Sequence, residues 1–340
     1  MPSPKVTVLL PVYNGERYLH EAIESVLDQS FADFELLIVN DGSTDHSVEI
    51  IQSYSDPRIR LLHNEKNLGL IATLNKGLDL TRGEYIARMD CDDVSLPSRL
   101  EKQVNFMDSK PDVGVCGTWL ELIGEGSGQI WASPGDFETI RCTMIFECPI
   151  YHPTVIIRQS ILKGHNLHYG NFPHAEDYEL WVRLSGHVQI ANLQEVLLLH
   201  RNHSEQIGKL QRTAQNKSSA AIRFRQIAEL GISPSKDELL LHECMSAGRF
   251  KKDKTFIHQA NEWLLRLSEA NKSKNMFSDY HFSKLLAKKW FAVCYNAASN
   301  GIRTWEEYWS SSLCDHFKIN KRLLLKFVAK CILHYDKHGG

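Results

Sequence analysis

Short apolar runs alternate with amphipathic stretches through the first ninety residues or so of the chain. Residues 6–10, 34–39, 59–62 and 85–89 are nearly uninterrupted apolar runs, and runs of that length read as buried strands of a parallel sheet. Between them apolar residues recur at helical spacing: Leu19, Ala22, Ile23, Val26 and Leu27, then Val48, Ile51 and Tyr54, then Leu70, Ile71, Leu74 and Leu78. Strand and helix alternating at this pace predict an α/β fold with a doubly wound, mostly parallel sheet. Each strand ends in turn-forming polar residues, namely Tyr13-Asn14-Gly15, Asp41-Gly42-Ser43, His63-Asn64 and Asp90-Cys91-Asp92. Ser43 or Thr44 is expected to cap the second helix. Ligands of such sheets bind outside the carboxyl ends of the strands, so these polar groups are expected to share one rim.

Beyond residue 112 the pattern changes. Gly124-Glu125-Gly126-Ser127-Gly128 reads as a loop or hairpin tip, and His152 to Arg158 as a strand segment. Glu176-Asp177 is expected to precede a helix with Leu180, Trp181 and Leu184 on its apolar side. From Lys209 onward helical periodicity dominates. Phe256, Ala260, Trp263, Leu264 and Leu267 share a face, as do Phe282, Leu285, Leu286, Trp290 and Val293, and then Leu324, Phe327, Val328, Cys331 and Ile332. The expectation is an α-helical C-terminal appendage over residues 209–340. Its last helix also carries Lys318, Lys321, Arg322, Lys326 and Lys330. Two fates fit it: packing onto the rest of the chain or onto a second copy in a homo-oligomer, or peripheral contact with an anionic membrane surface.

Composition narrows the class. A formal net charge of −2 argues against a nucleic-acid binder that works by bulk charge. Eight cysteines without a C-x-x-C pair indicate neither a zinc ribbon nor a disulfide framework, and imply a reducing, cytoplasmic setting. No apolar run has the length of a membrane span. The G-x-G-x-x-G of a dinucleotide fold is missing.

Asp90, Asp92 and Asp93 place three carboxylates at a strand end. Like charges that close raise one another's pKa, and a hard divalent cation relieves them. Either such a cation or a turn capping the helix near Pro97 would account for them. Several motifs in order then carry a resemblance: residues 8–14 (Val-Leu-Leu-Pro-Val-Tyr-Asn), 39–45 (Val-Asn-Asp-Gly-Ser-Thr-Asp), Asn67-Leu68-Gly69, 89–93 (Met-Asp-Cys-Asp-Asp) and 176–184. They resemble family 2 glycosyltransferases of the bacterial surface-glycan type, which have the GT-A fold.

That resemblance implies a donor half over residues 1–112 and an acceptor half over 113–208. It implies an inverting transferase that moves a sugar from a nucleotide-diphosphate donor, UDP-linked by expectation, to a hydroxyl of a glycan or lipid-linked glycan. By resemblance, Pro11, Val12, Tyr13 and Asp41 meet the nucleobase, Asn67, Gly69 and Asn75 belong to the loop and helix beside it, and Asp90 meets the ribose. Asp92 is the implied ligand of Mn²⁺ or Mg²⁺, Asp93 either caps the next helix or holds metal-bound water, and Asp177 is the implied general base. Glu176 and His152 would shape the acceptor pocket, and Arg201 and His203 would approach the diphosphate. His200 stands where the family usually has tyrosine, and Gly208 where it has serine. The alternatives are a nucleotide-sugar-binding module without transferase activity, or a nucleotidyltransferase on a related sheet. The expected location is the cytoplasm, with contact at the inner face of the cell membrane through the last helix.

Overall fold

The computed structural model describes residues 3–203 and 211–333. Gly208 and the border expected at 208/209 lie outside these residues. The chain divides into two compact units, Met1–Ile140 with Cys148–Ser219, and Arg141–Glu147 with Ala220–Gly340.

The first unit opens with β1 (Val6–Val12), α1 (Leu19–Leu27), β2 (Phe34–Asn40), α2 (Ser47–Gln52), β3 (Ile59–His63), α3 (Leu70–Leu80) and β4 (Tyr85–Arg88). It continues with β5 (Val94–Ser95), α4 (Arg99–Ser109), β6 (Val113–Gly124), β7 (Ile130–Trp131), α5 (Phe137–Thr143, of the first unit as far as Ile140), β8 (Ile156–Arg158), α6 (Gln159–Gly164), α7 (Glu176–Leu184) and β9 (Gln189–Asn202). One nine-stranded sheet results, in the order β3-β2-β1-β4-β8-β6-β9-β5, with β7 against β6. β1, β2, β3 and β4 pair in parallel, as do β6 and β9, while β8 runs antiparallel to both β4 and β6. Every residue of β1 and β2 is buried, which is why their sequences are apolar without alternation.

The chain passes from β1 to β2 on one side, and from β3 through α3 back to β4 on the other side of β1. Ligand crevices form where the order reverses in this way. The register sets Leu9 beside Arg88, and the Met89 N–H donates to the Leu9 carbonyl at 3.2 Å. Tyr13 and the acidic triplet therefore leave the sheet at neighbouring points. Gly83 lets β4 enter: a Cβ there would lie 2.4 Å from the Thr7 backbone nitrogen.

Three local expectations are corrected. Neither Ser43 nor Thr44 caps α2. Asn14 sits at φ 51°, and that left-handed turn draws both residues across to it: its N–H donates to Ser43 Oγ at 3.0 Å, and its Oδ1 accepts the Thr44 N–H at 2.9 Å. Asp45 Oδ1 accepts the Ser47 N–H instead, at 3.0 Å. Asp93 caps nothing; α4 follows Ser98, and Asp93 is fully buried elsewhere. Glu176 and Asp177 do not precede α7 but form its first two residues.

The second unit contains α8 (Arg212–Glu229) from Ala220 onward, α9 (Lys236–Ser246), α10 (Lys254–Lys274), α11 (Asp279–Asn296), α12 (Ile302–Ser310) and α13 (Lys321–Leu333). Trp263 and Trp290 are fully buried in its core, together with Cys142, Ile145 and Phe146 of the 141–147 segment. That segment is held by polar contacts as well. His242 bonds the Ile145 carbonyl through Nε2 at 2.9 Å and accepts the Trp263 indole N–H on Nδ1 at 3.1 Å, a pairing that requires a neutral ring with its proton on Nε2. Burial pushes His242 down to about 3, consistent with that tautomer. Gln226 donates to the Met144 carbonyl at 2.8 Å.

Of the apolar face expected for the last helix, Phe327 and Cys331 are buried and Leu324 and Val328 half-buried, but Ile332 is exposed. Lys318 precedes the helix. Leu325, Ile332 and Leu333 form a second apolar strip in solvent beside Lys321, Arg322 and Lys326. Among the described residues no helix is long and apolar enough to cross a membrane.

Candidate active site

The rim at the end of β1 is laced to the rim at the end of β2. Pro11 and Val12 are buried and Tyr13 projects into solvent. The Asp41 carboxylate, 4% exposed, accepts the Asn64 amide at 2.8 Å and the N–H groups of Leu68 and Gly69 at 2.8 and 2.9 Å. These take three of about four lone-pair positions. Asp41 thus folds the Asn67-Leu68-Gly69 loop onto β2, with Gly69 at φ 86° where a side chain would be strained. Asn67 Oδ1 also accepts the Gly69 N–H, at 2.9 Å. Asn75 does not join this rim through its amide. Its Nδ2 donates to the Tyr169 carbonyl at 3.0 Å and its Oδ1 accepts the Tyr169 N–H at 2.8 Å.

The acidic triplet is sorted by its partners. Buried Arg88 grips Asp90 with both ends of its guanidinium fork, each at 2.5 Å. Asp93 meets His200 Nδ1 at 2.9 Å and accepts the Arg201 N–H at 2.9 Å. Burial pushes the Asp93 acid up and pulls His200 down. The contact between them pulls back against both, and leaves His200 raised to about 8. Asp92 meets His203 Nε2 at 3.1 Å. Burial, then the charges of Asp90 and Asp93, push Asp92 up to about 6. Arg201 lies 4.4 Å over the Tyr18 ring, donates to the Asp92 carbonyl at 2.9 Å and pairs with Glu21 at 2.5 Å.

The three carboxylates offer oxygen atoms all within 4.8 Å of one another. With Asp90 neutralised by Arg88 and Asp93 by His200, Asp92 is the acid left short of a full counter-charge. This oxygen-rich set fits a hard divalent cation that retains water and phosphate ligands.

α7 presents Glu176 and Asp177 in its first turn. Burial, then the Glu176 charge, push Asp177 up to about 7, against the backbone N–H groups at the helix start and the charge of Arg88. Glu176 is raised by burial too. His152 is buried behind them: its Nε2 meets the Tyr169 hydroxyl at 2.9 Å and its Nδ1 stands 4.0 Å from Glu176. Burial and then the Arg88 charge hold this ring neutral. Asp177, Glu176 and Asp90 all act on Tyr169, and Arg88 acts on Asp177, Glu176, His152 and Tyr169. Asp90 just after β4 and the acids of α7 therefore share one electrostatic neighbourhood, and the Arg88 charge acts on both.

Asn64 was expected at this rim with His63, but Arg88 and Tyr169 were not singled out by sequence reasoning. Arg88 carried the one usable signal: residues 88 and 90 fall on the same side of an extended chain. The Asn75–Tyr169 clasp joins residues 94 positions apart, and nothing local announces it.

Comparison with known proteins sets this geometry in context. The model of the family described as Glycosyl transferase family 2 matches residues 7–164. An uncharacterized glycosyltransferase of Haemophilus influenzae is 35% identical over 237 residues, spanning 66% of this chain and 73% of that protein. Another, from Methanocaldococcus jannaschii, is 34% identical over 210 residues, spanning 59% of this chain and 72% of that protein. Among solved structures, S. aureus TarS residues 1–349 in complex with UDP-GlcNAc superposes with a TM-score of 0.58 at 19% identity, covering 89% of each chain. That likeness is one of fold.

Proposed function

The chain belongs to glycosyltransferase family 2, and from that premise we propose that it is an inverting, metal-dependent transferase acting on a nucleotide-diphosphate sugar. The observation that carries the reading is Arg88, a single buried cation that pairs with Asp90 just after β4 and whose charge also acts on Glu176 and Asp177 of α7. A donor and an acceptor meeting between the two sets would face a phosphate-binding rim and a base together.

In this reading Asp177 takes the proton of the acceptor hydroxyl. The hydroxyl oxygen bonds to the anomeric carbon as the bond from that carbon to the diphosphate breaks, and the electron pair leaves with the nucleoside diphosphate. Attack opposite the leaving group inverts the centre. A carboxylate poised near neutrality suits this proton transfer. Asp92 would hold Mn²⁺ or Mg²⁺, which when bound offsets charge on the leaving diphosphate. Tyr13 and the loop folded by Asp41 flank the nucleobase, Asp90 the ribose, and Arg201 and His203 the diphosphate side. Asn75 and His152 act by positioning Tyr169.

The TarS complex with UDP-GlcNAc, on a similar fold, supports a UDP-linked donor. The apolar strip of α13, flanked by Lys321, Arg322 and Lys326, supports a lipid-linked glycan acceptor reached at an anionic membrane surface.

The test is a thermal-shift screen of nucleotide sugars with and without Mn²⁺. A ligand at a hundred times its Kd raises stability by about 2.7 kcal/mol. The expected result is a shift with a UDP-sugar that grows with Mn²⁺ and is lost in Asp92→Ala. Stabilisation independent of the metal, or retained in the variant, would refute the metal assignment.

A further inference from the structure

We propose that the β6–β7 hairpin carries an acceptor-sugar subsite, in which the Trp131 ring, backed by Tyr151, stacks on the C–H face of a pyranose. This rests on the transferase reading and adds to it the surface that would orient the sugar being extended.

Trp131 is 38% exposed, although its ring lies 5.7 Å from that of Tyr151 and 6.2 Å from that of His200. β7 pairs Trp131 with Leu120, so the side chain stands on the sheet face where Leu120, Leu122 and Leu198 cluster with Tyr151. One side of the indole is thus backed by protein and the rest is open. The hairpin is also pinned. The Glu125 N–H donates to the Asn202 carbonyl at 3.0 Å, and the Asn202 amide donates to the Glu125 carbonyl at 2.6 Å. Gly124, at φ 82°, permits that contact; a Cβ there would lie 2.7 Å from the Asn202 carbonyl oxygen.

The position of this ring is what points to a substrate. His200 touches Trp131 on one side and bonds Asp93 of the acidic triplet on the other. A ligand lying on Trp131 would therefore sit beside the donor rim. The surface is aromatic in the middle, with the His200 imidazole at its edge. A pyranose matches both, with an apolar C–H face for the indole and equatorial hydroxyls toward the imidazole, a pairing of apolar face and polar rim that an alkyl chain lacks.

The test needs no turnover. Saturation-transfer NMR on the full chain with methyl β-glucoside, methyl β-galactoside and methyl N-acetyl-β-glucosaminide reads which ring protons touch protein. With at least one of them, one face of the sugar is expected to receive saturation in the wild type. In Trp131→Ala the binding should weaken about tenfold, and Trp131→Phe should recover most of it. UDP should not displace the sugar. The proposal is overturned if none of the three glycosides receives saturation, if Trp131→Ala keeps the same contacts, or if UDP displaces the glycoside, which would make the ring a nucleobase platform. Failure of the transferase reading would show separately, as no shift with any nucleotide sugar in the thermal screen.

Discussion

Asp177→Asn should make the protein more stable and nearly inactive, and the stability gain should depend on pH. The Asp177 carboxyl rises from an ordinary 3.8 to about 7 in the fold, through burial first and the neighbouring Glu176 charge second. Between those two values the folded chain holds a proton that the unfolded chain has released. Stability therefore falls as pH rises through that window, and the full cost is present above about pH 7. At about 1.4 kcal/mol per pH interval the ceiling is about 4 kcal/mol, and sharing of the strain with Glu176 brings the expectation to about 2 kcal/mol. Asparagine keeps the shape and removes the charge.

At pH 8 this corresponds to a rise in the melting temperature of about 5 °C for a unit of this size, and at pH 5 to less than half of that. Calorimetry of the two proteins at both pH values measures it. Turnover should fall by about a hundred-fold or more with loss of the base. The wild-type kcat/KM should rise with pH through an acid limb near 7, since only ionised Asp177 accepts the proton. An Asp177→Asn protein no more stable than wild type at pH 8, or a gain equal at pH 5 and 8, would refute the burial argument. An acid limb below pH 5 would refute the assignment of the base.

Arg88→Met removes one partner of a buried pair and leaves Asp90 without its counter-ion, for an expected loss of about 3 kcal/mol in denaturant unfolding. Because the Arg88 charge restrains the rise of Asp177, the acid limb of kcat/KM should also move to higher pH; lost stability with an unmoved limb would remove Arg88 from the base side of the site. On α13, Leu325→Glu with Ile332→Glu replaces exposed positions and should leave the fold intact while abolishing salt-sensitive binding to vesicles containing anionic lipid. Unchanged vesicle binding in this double variant would exclude α13 as the contact.

What the sequence made legible, and what it hid, follows from where each interaction is encoded. β1, β2 and β4 were readable because strands covered on both faces must be apolar throughout. Their parallel pairing needed only the alternation with helices, whereas the order β3-β2-β1-β4 is seen only in the fold. Contacts resting on backbone atoms were not readable, since any residue can supply them. The carbonyls of Met144 and Ile145 hold the 141–147 segment in the second unit's core, and nothing in that segment's composition sets it apart from the sheet-bearing unit. The misplaced cap has the same origin: Ser43 and Thr44 are good capping residues, and only the left-handed turn at Asn14 diverts them.

The acidic triplet shows the limit most clearly. In sequence, Asp90, Asp92 and Asp93 are three like charges, and motif spacing alone distributes roles among them. In the fold, the surrounding cations do so. Arg88 reaches Asp90 from the end of β4, and His200 reaches Asp93 from β9, so the partners come from 2 and 107 positions away. Two acids are thereby neutralised by permanent or nearly permanent cations, since His200 is raised to about 8. Asp92 faces His203 and takes the charges of both neighbours, and with burial they push it up to about 6. A divalent ion binding there would complete a charge balance that the protein has already supplied for its two neighbours. On this argument Asp92→Asn should weaken the response to Mn²⁺ in the thermal screen more than Asp90→Asn does.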